Sequence, residues 1–466
     1  MRADPIDALA STFPSGAYVP VITAPALPSD LAQQSAIVID IRDADAAQVA
    51  ARKHDVRVRW WLELGDQLLL VGDRGEVRKA APEREVLGEI VDLDRERLRL
   101  HAIGCVREAH TPGRLIAHGG RWELRELSTA ELATPLPSLH DGHSDEWRAI
   151  EPDSVIAQRY RPDGGPAPAD PRIQPVVDSI NTVRWFADLA TLADWDRSSY
   201  GPELAQSRAW IETQFNGLGL AVTAPAFTMP GSGGGQISVN NVIGKWTGSL
   251  HPDEWIVVGG HYDSRNSSLS SIVNTPGAED NASGCAGVIE LARALVPVQP
   301  ERSILFMCYA GEEQGLYGSK AHVQALQASG DLAKVQAVIT MDMIGYSADS
   351  QLDVLFESSA TWTAYLNQFA AAAATYVPDL HVSLSTNPFG SDHIPYLNAG
   401  KRTLLAIEYD YDDYPYYHRS TDTPDHVGPN AQAMGGAILK TSAAVLAELA
   451  GVNDRIFVDG FESSGP

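Results

Sequence analysis

From residue 175 onward, apolar runs alternate with helical stretches, and nearly every apolar run ends on a residue able to bind a metal ion. The apolar runs are "EWIVVGG", "SILFMCYA", "VQAVITMDMIG", "LDVLFES" and "TLLAIEYD". Between and around them lie "SRAWIETQFNGLGL", "ASGCAGVIELARAL", "SKAHVQALQAS" and "AMGGAILKTSAAVLAELA", which have helical spacing. This alternation predicts an α/β fold with a mixed, largely parallel sheet flanked by helices on both faces. In such sheets the loops leaving the strand C-termini converge on one edge. Those loops carry His261 and Asp263 after "VVGG", Glu312 and Glu313 after "FMCYAG", Asp342 after "AVITM", and His418 after "AIEYDYDDYPYY".

Each residue also has a plain structural reading. Asp280, in "TPGAEDNASG", stands where a helix N-cap is expected. A lone His beside a strand is commonly a hydrogen-bonded surface group, and adjacent glutamates are commonly two solvated charges. Asp342 differs, because it sits among apolar residues in "ITMDMIG", where burying an unpaired charge costs several kcal/mol. Taken together, two His and three carboxylates with a spare glutamate suit a pair of zinc ions, which take imidazole nitrogen and carboxylate oxygen and leave room for water.

The rest of the chain narrows the function classes. With 60 acidic and 35 basic residues among 466, the formal charge is -25. Such a field repels nucleic-acid phosphates and anionic lipid, and draws in cations. No run of about eighteen apolar residues suggests a membrane span. The opening "MRADPIDALASTFPSG" lacks the basic and apolar regions of a signal peptide. The three cysteines, Cys105, Cys285 and Cys308, have no CxxC spacing, so neither a disulfide framework nor a thiolate zinc knot is expected. No G-x-S-x-G elbow marks a serine hydrolase.

Residues 1–165 read as a small α+β domain, with strands at "AIVIDIR", "VRVRWWLEL", "DQLLLVG" and "RLRLHAI" and a helix at "DADAAQVAARKH". Residues 166–175, in the Pro- and Gly-rich stretch "RPDGGPAPADPRIQP", read as a linker. A second domain spans 176–452 and a polar tail 453–466. "GSGGGQ" at 231 to 236 reads as a flexible loop.

In their order, "HYDS", "PGAEDNASG", "AGEEQGLYGS", "MDMIGY" and "HRSTDT" resemble the M28 family of zinc aminopeptidases over residues 175 to 450. The resemblance implies two zinc ions per chain. His261 and Asp342 would hold one, Glu313 and His418 the other, and Asp280 would bridge both. Glu312 would be the catalytic carboxylate, taking a proton from the attacking water and returning it to the leaving amine. Asp263 would orient His261. The substrates implied are peptides with a free N-terminus, with apolar first residues. Carboxypeptidase-like and glutaminyl-cyclase-like enzymes share the scaffold and remain the alternatives.

In the same family the stretch "STNPFGSDHIPYLNAG" lies beside the substrate pocket, so Ser391 and Asp392 are candidate substrate contacts, together with Glu408 and Tyr417. Some members carry cysteines and a tyrosine where this chain has Thr386, Asn387, Pro388 and Phe389. Tyr411, Tyr414, Tyr416 and Tyr417 are the hydroxyls nearest His418 in sequence. His393 and His426 compete with His418 as ligands, and the H-x-S-T-D-T context favours His418. The tail "NDRIFVDGFESSGP" is similar to tails of exported Gram-negative proteins, so a secreted or periplasmic location is expected. The first domain reads equally as a propeptide, an access control or a spacer. Oligomeric state is not legible in the sequence.

Overall fold

The computed structural model describes residues 34–104, 111–134, 146–162 and 164–452. The expectations for the chain start, for Cys105 and for the tail after residue 452 lie outside the described residues.

The N-terminal half contributes β1 (Gln34–Asp40), β2 (Val58–Gly65), β3 (Gln67–Gly72), β4 (Val86–Leu93), β5 (Leu98–Ala102), β6 (Arg114–Gly119), β7 (Trp122–Glu126), β8 (Glu146–Ala149) and β9 (Ser154–Arg159). A helix at Ala46–Lys53 is closed by a capping box between Asp45 and Gln48. The second half adds β10 (Ala221–Thr223), β11 (Ala226–Pro230), β12 (Gln236–Asn240), β13 (Val242–Trp246), β14 (His251–His261), β15 (Arg302–Tyr309), β16 (Val335–Met341), β17 (Leu352–Glu357), β18 (Leu380–Ser385) and β19 (Thr403–Glu408). The glycine-rich stretch expected to be a flexible loop is the tip of the β11–β12 hairpin, whose strands pair from Ala226↔Asn240 to Pro230↔Gln236.

Thirteen strands form one sheet in the order β10-β13-β15-β14-β16-β19-β17-β18-β9-β2-β3-β1-β4. Its centre is parallel, with β14 between β15 and β16 and β19 beside β16. β13 and β17 run antiparallel to their neighbours β15 and β19, so the sheet is mixed. The two halves of the chain share this sheet: β9 pairs antiparallel with β18 from Ser383↔Arg159 to Ser385↔Ala157, and parallel with β2 on its other side. β5 to β8 form a separate four-stranded sheet.

Helices cover both faces of the central strands, and alternation along β14 shows it. Ile256 and Val258 pack with helices Gly284–Leu295 and Ala431–Ala450, whereas Trp255 and Val257 pack with Val323, Leu326 and Tyr396 on the opposite side. Among the described residues one helix, Ala431–Ala450, is long and apolar enough to cross a membrane, but its most apolar window is 78% buried within the protein. It is a core helix.

That helix carries Gly435, where an added Cβ would lie 2.2 Å from Cη2 of the buried Trp185. Helix propensity favours Ala over Gly by about 1 kcal/mol. Overpacking a tight core costs about 1–3 kcal/mol, and here the obstacle is a rigid indole. The steric effect should win: Gly435→Ala is expected to lower the melting temperature in a thermal unfolding scan rather than raise it. Trp185 also donates its indole N–H to the carbonyl of Ser283 at 2.9 Å, so this packing lies one turn from Asp280.

Candidate metal centre

The strand ends meet because glycine lets them. An added Cβ on Gly259 would sit 2.4 Å from the Tyr309 ring, and one on Gly260 would sit 2.9 Å from the carbonyl of Met341 and 3.0 Å from Gly284. Glycine at the end of β14 therefore allows the helix starting at Gly284 and the neighbouring strands to approach closely.

Each expected ligand is delivered to that edge. His261 ends β14, Asp342 follows β16, and the Glu312–Glu313 pair follows β15. In an extended strand consecutive side chains point to opposite faces. Instead Gly311, at φ 68°, turns the chain, and Glu312 accepts the amides of Gly315 and Leu316 on its carbonyl. The turn still sends the two carboxylates to different partners. His418 sits in the left-handed region at φ 53°, an uncommon conformation for a residue with a side chain.

The N-cap reading of Asp280 fails for a local reason. Asn281 takes that role, its Oδ1 accepting the amides of Gly284 at 2.7 Å and Met343 at 3.2 Å. Asp280, joined to Asn281 by a cis peptide, points both oxygens at histidines. Oδ1 lies 3.2 Å from His261 Nε2, and Oδ2 lies 2.9 Å from His418 Nε2. Asp342 Oδ1 completes the first group at 3.4 Å from His261 Nε2, and Glu313 Oε2 completes the second at 3.1 Å from His418 Nε2. Two metal-competent groups thus share Asp280: His261, Asp280 and Asp342, and Asp280, Glu313 and His418. All five residues are buried. Glu312 Oε2 stands 3.8 Å from His261 Nε2, beside the first group.

The electrostatics of the cluster suit a cation. Both carboxylate oxygens of Glu313 and Oδ1 of Asp342 are buried and accept no hydrogen bond. Burial, then the nearby Asp280 charge, drives the Glu313 carboxyl well above the usual range. Burial works against a charge on His261, but Glu312 and Asp342 outweigh it and raise its pKa. A divalent ion reverses this logic, because its charge favours every carboxylate and neutral imidazole around it. The donor set, two imidazoles and three carboxylates, fits zinc chemistry.

Asp263 lies against His261 through both its backbone and its side chain. Its backbone carbonyl, 3.0 Å from His261 Nδ1, is the closer partner of the imidazole, while its carboxylate lies at 3.5 Å. That carboxylate also accepts the amides of Glu312 and Glu313 at 3.3 and 3.4 Å and the hydroxyl of Ser199 at 3.0 Å. One side chain therefore steadies both the histidine and the glutamate turn.

The remaining expected residues separate clearly. Ser391 donates its hydroxyl to Asp342 Oδ2 at 2.7 Å. Tyr417 stacks on His418 with ring centroids 3.9 Å apart. Asp392 is buried, with its carboxyl pushed up to about 7 by burial. Glu408 is also buried, and its carboxylate belongs to neither metal-competent group. His393 lies 3.3 Å from Glu357, and His426 bonds to Thr421 and Thr423, and neither belongs to the two metal-competent groups. The hydroxyls of Tyr411 and Tyr414 are committed to the Ile103 carbonyl and to Asp422. Cys285 and Cys308, both buried, bring their sulfurs to 2.7 Å.

Two residues escaped the sequence reading. Asp422, within the quoted "HRSTDT", accepts the amides of Glu279 and Asp280 and holds the Asp280 turn. Burial pushes its carboxyl up to about 6. Arg197 is fully buried and donates to the carbonyls of Leu192, Tyr262, Pro276 and Gly277, joining the His261 and Asp280 loops. Burial lowers its pKa to about 10. The position of Asp422 in the motif was a usable signal, whereas Arg197 in "WDRSSYG" carries none.

Residues 241–442 match the model of peptidase family M28. Over those residues the chain is similar to that family. A probable zinc metalloprotease of Pyrenophora teres f. teres (strain 0-1) is 30% identical over 242 residues, covering 47% of this chain and 48% of that protein. Aminopeptidase YwaD of Bacillus subtilis (strain 168) is 29% identical over 204 residues, 43% of this chain and 43% of that one. The chain thus matches about half the length, or less, of these curated relatives. The crystal structure of LapB from Legionella pneumophila shares the fold, with TM-score 0.51 and 19% identity, over 90% of this chain and all of that one. Its likeness extends well beyond residues 241–442 into the N-terminal half.

Proposed function

We propose that this chain is a two-zinc aminopeptidase that removes N-terminal residues, chiefly apolar ones, from peptides. The observation that carries the proposal is the sharing of Asp280 between two ligand groups with Glu312 beside them. His261 and Asp342 would hold one zinc, His418 and Glu313 the other, and Asp280 both. Zinc held by these residues would supply Lewis acidity to the scissile carbonyl and would favour ionisation of water near neutral pH. Glu312 accepts the proton of the attacking water and delivers it to the leaving amine. Asp263 holds the glutamate turn and the His261 ring in place for that transfer. We assign the protein to the periplasm or the extracellular medium; the acidic charge and the "IFVDGFE" tail support this, and cell fractionation tests it.

Bound metal measured together with activity on free and N-acetylated peptides tests the function. Two zinc ions per chain, cleavage of a leucyl peptide, no cleavage of its acetylated form and loss of activity on chelation are expected. One zinc per chain with ammonia release from N-terminal glutaminyl peptides would favour the cyclase alternative. Release of the C-terminal residue from the acetylated peptide would favour the carboxypeptidase one.

A further inference from the structure

The segment Ser385–Ser391 runs from the end of β18 to the edge of the metal-competent cluster, and the N-terminal half grips it along its length. At its start, Ser385 Oγ and Asn387 Nδ2 both donate to the carbonyl of Ile156 in β9, each at 2.8 Å. Asn387 Oδ1 accepts from Arg148 at 2.6 Å. Further on, Arg121 is buried and reaches in from the two-residue turn joining β6 and β7, where Gly119 pairs with Trp122. Its guanidinium donates to the carbonyls of Phe389 and Gly390, each at 2.9 Å, and to Glu357 Oε1 at 3.1 Å. It lies 4.0 Å from the Phe389 ring centroid, and Trp122 meets the same ring edge-on at 5.0 Å. Glu357 closes the arrangement by accepting the Phe389 amide at 3.0 Å. The next residue after Gly390 is Ser391, whose hydroxyl holds Asp342 Oδ2.

We propose that Arg121 is a positioning residue of the metal site: the N-terminal half fixes the 385–391 segment, and through Ser391 it sets the orientation of Asp342. The N-terminal half is on this account a permanent part of the catalytic unit rather than a removable propeptide. The chemistry favours Arg at this place. One planar fork serves two carbonyls and a carboxylate at once, which an ammonium on a flexible stem does not reproduce. The buried Glu357 charge is balanced by the same group. The inference rests on Asp342 being a zinc ligand, as proposed above.

Arg121→Lys tests it, since Lys keeps a positive charge beside Glu357 and loses the fork. The variant is expected to fold and to leave KM within about twofold. It should lower kcat about tenfold, and lose zinc to a chelator about 10- to 100-fold faster, the range typical when a metal ligand's hydrogen-bond partner is removed. Amide hydrogen exchange should rise across 386–391 and stay unchanged in β14 and β15. Ser391→Ala should reproduce the kinetic and zinc effects, and the double variant should be no worse than Ser391→Ala alone. Should Arg121→Lys fail to fold, Asn387→Ala, which leaves the buried ion pair intact, must show the same exchange and zinc-release pattern. Wild-type protein that binds zinc, beside a folded Arg121→Lys variant equal to it in kcat, zinc release and exchange, overturns this inference alone. Wild-type protein without zinc overturns the function and this inference together. Single-variant effects that multiply in the double variant also overturn it, because Arg121 would then not act through Ser391.

Discussion

Glu312→Gln should yield a folded protein that retains two zinc ions per chain and turns over peptide about 100- to 10,000-fold more slowly, the span contributed by general acid–base groups. The substitution keeps the shape of the side chain and removes only its ability to take a proton. Glu312 belongs to neither ligand group, its nearer oxygen lying 3.8 Å from His261 Nε2. Its backbone amide is held by Asp263 and its carbonyl by Gly315 and Leu316, and none of these contacts involves the replaced atoms. The fall should appear in kcat with little change in KM, because a proton acceptor works in the transition state rather than in binding. Metal content by elemental analysis and steady-state kinetics on one aminoacyl arylamide decide the matter. Activity within tenfold of wild type would falsify the base assignment while leaving the metal site untouched.

Asp280→Ala should have the opposite pattern, with metal lost first and activity lost as a result. Asp280 is the residue common to both ligand groups, so its removal strips one donor from each. Structural zinc sites bind with about 10–16 kcal/mol spread over four donors, or roughly 3 kcal/mol per donor. One missing donor per ion thus weakens each site by more than about 100-fold, and the two losses compound. Zinc titration should show both sites weakened together, and activity should return only partly at high zinc. Loss of one ion with the other held at wild-type affinity would show that the carboxylate serves a single site. The backbone should survive the change, because the amides of Glu279 and Asp280 are held by Asp422 and the helix start is held by Asn281.

The parts of this molecule that the sequence revealed are those governed by local pattern. The apolar runs before His261, Glu312 and Asp342 are strands β14, β15 and β16, because short, near-continuous apolar runs bounded by glycine and polar turns suit a strand buried on both faces. Helices such as Gly284–Leu295 and Tyr317–Ser329 lie where the 3.6-residue spacing put them. The convergence of five ligand-type residues also follows from topology, since parallel strands bring their C-terminal loops to one edge.

What stayed hidden depends on distant pairing or on buried polar contacts. The turn at Gly311 replaced strand alternation because a left-handed residue was needed to swing Glu312 and Glu313 apart. The role of Asn281 as the helix-start acceptor, which frees Asp280, is invisible in "DNASG", where either residue could serve. Nothing in "HGGRW" shows that Arg121 will be buried against Glu357, some 236 positions away. Likewise "SVIAQR" carries no sign that it joins the two halves of the chain in one sheet, because hydrogen-bond partners across a sheet are chosen by the fold as a whole.

The pairing of β9 with β18 has a consequence for the chain during its own synthesis. Arg159 and its partner Ser383 are 224 residues apart. At about 5–20 residues per second, that gap takes roughly 11 to 45 s to translate. Through that interval one rim of β9 has no strand to receive it, and the grip of Arg121 has nothing to close on. The nascent N-terminal half therefore cannot complete this sheet until the downstream partner emerges from the ribosome.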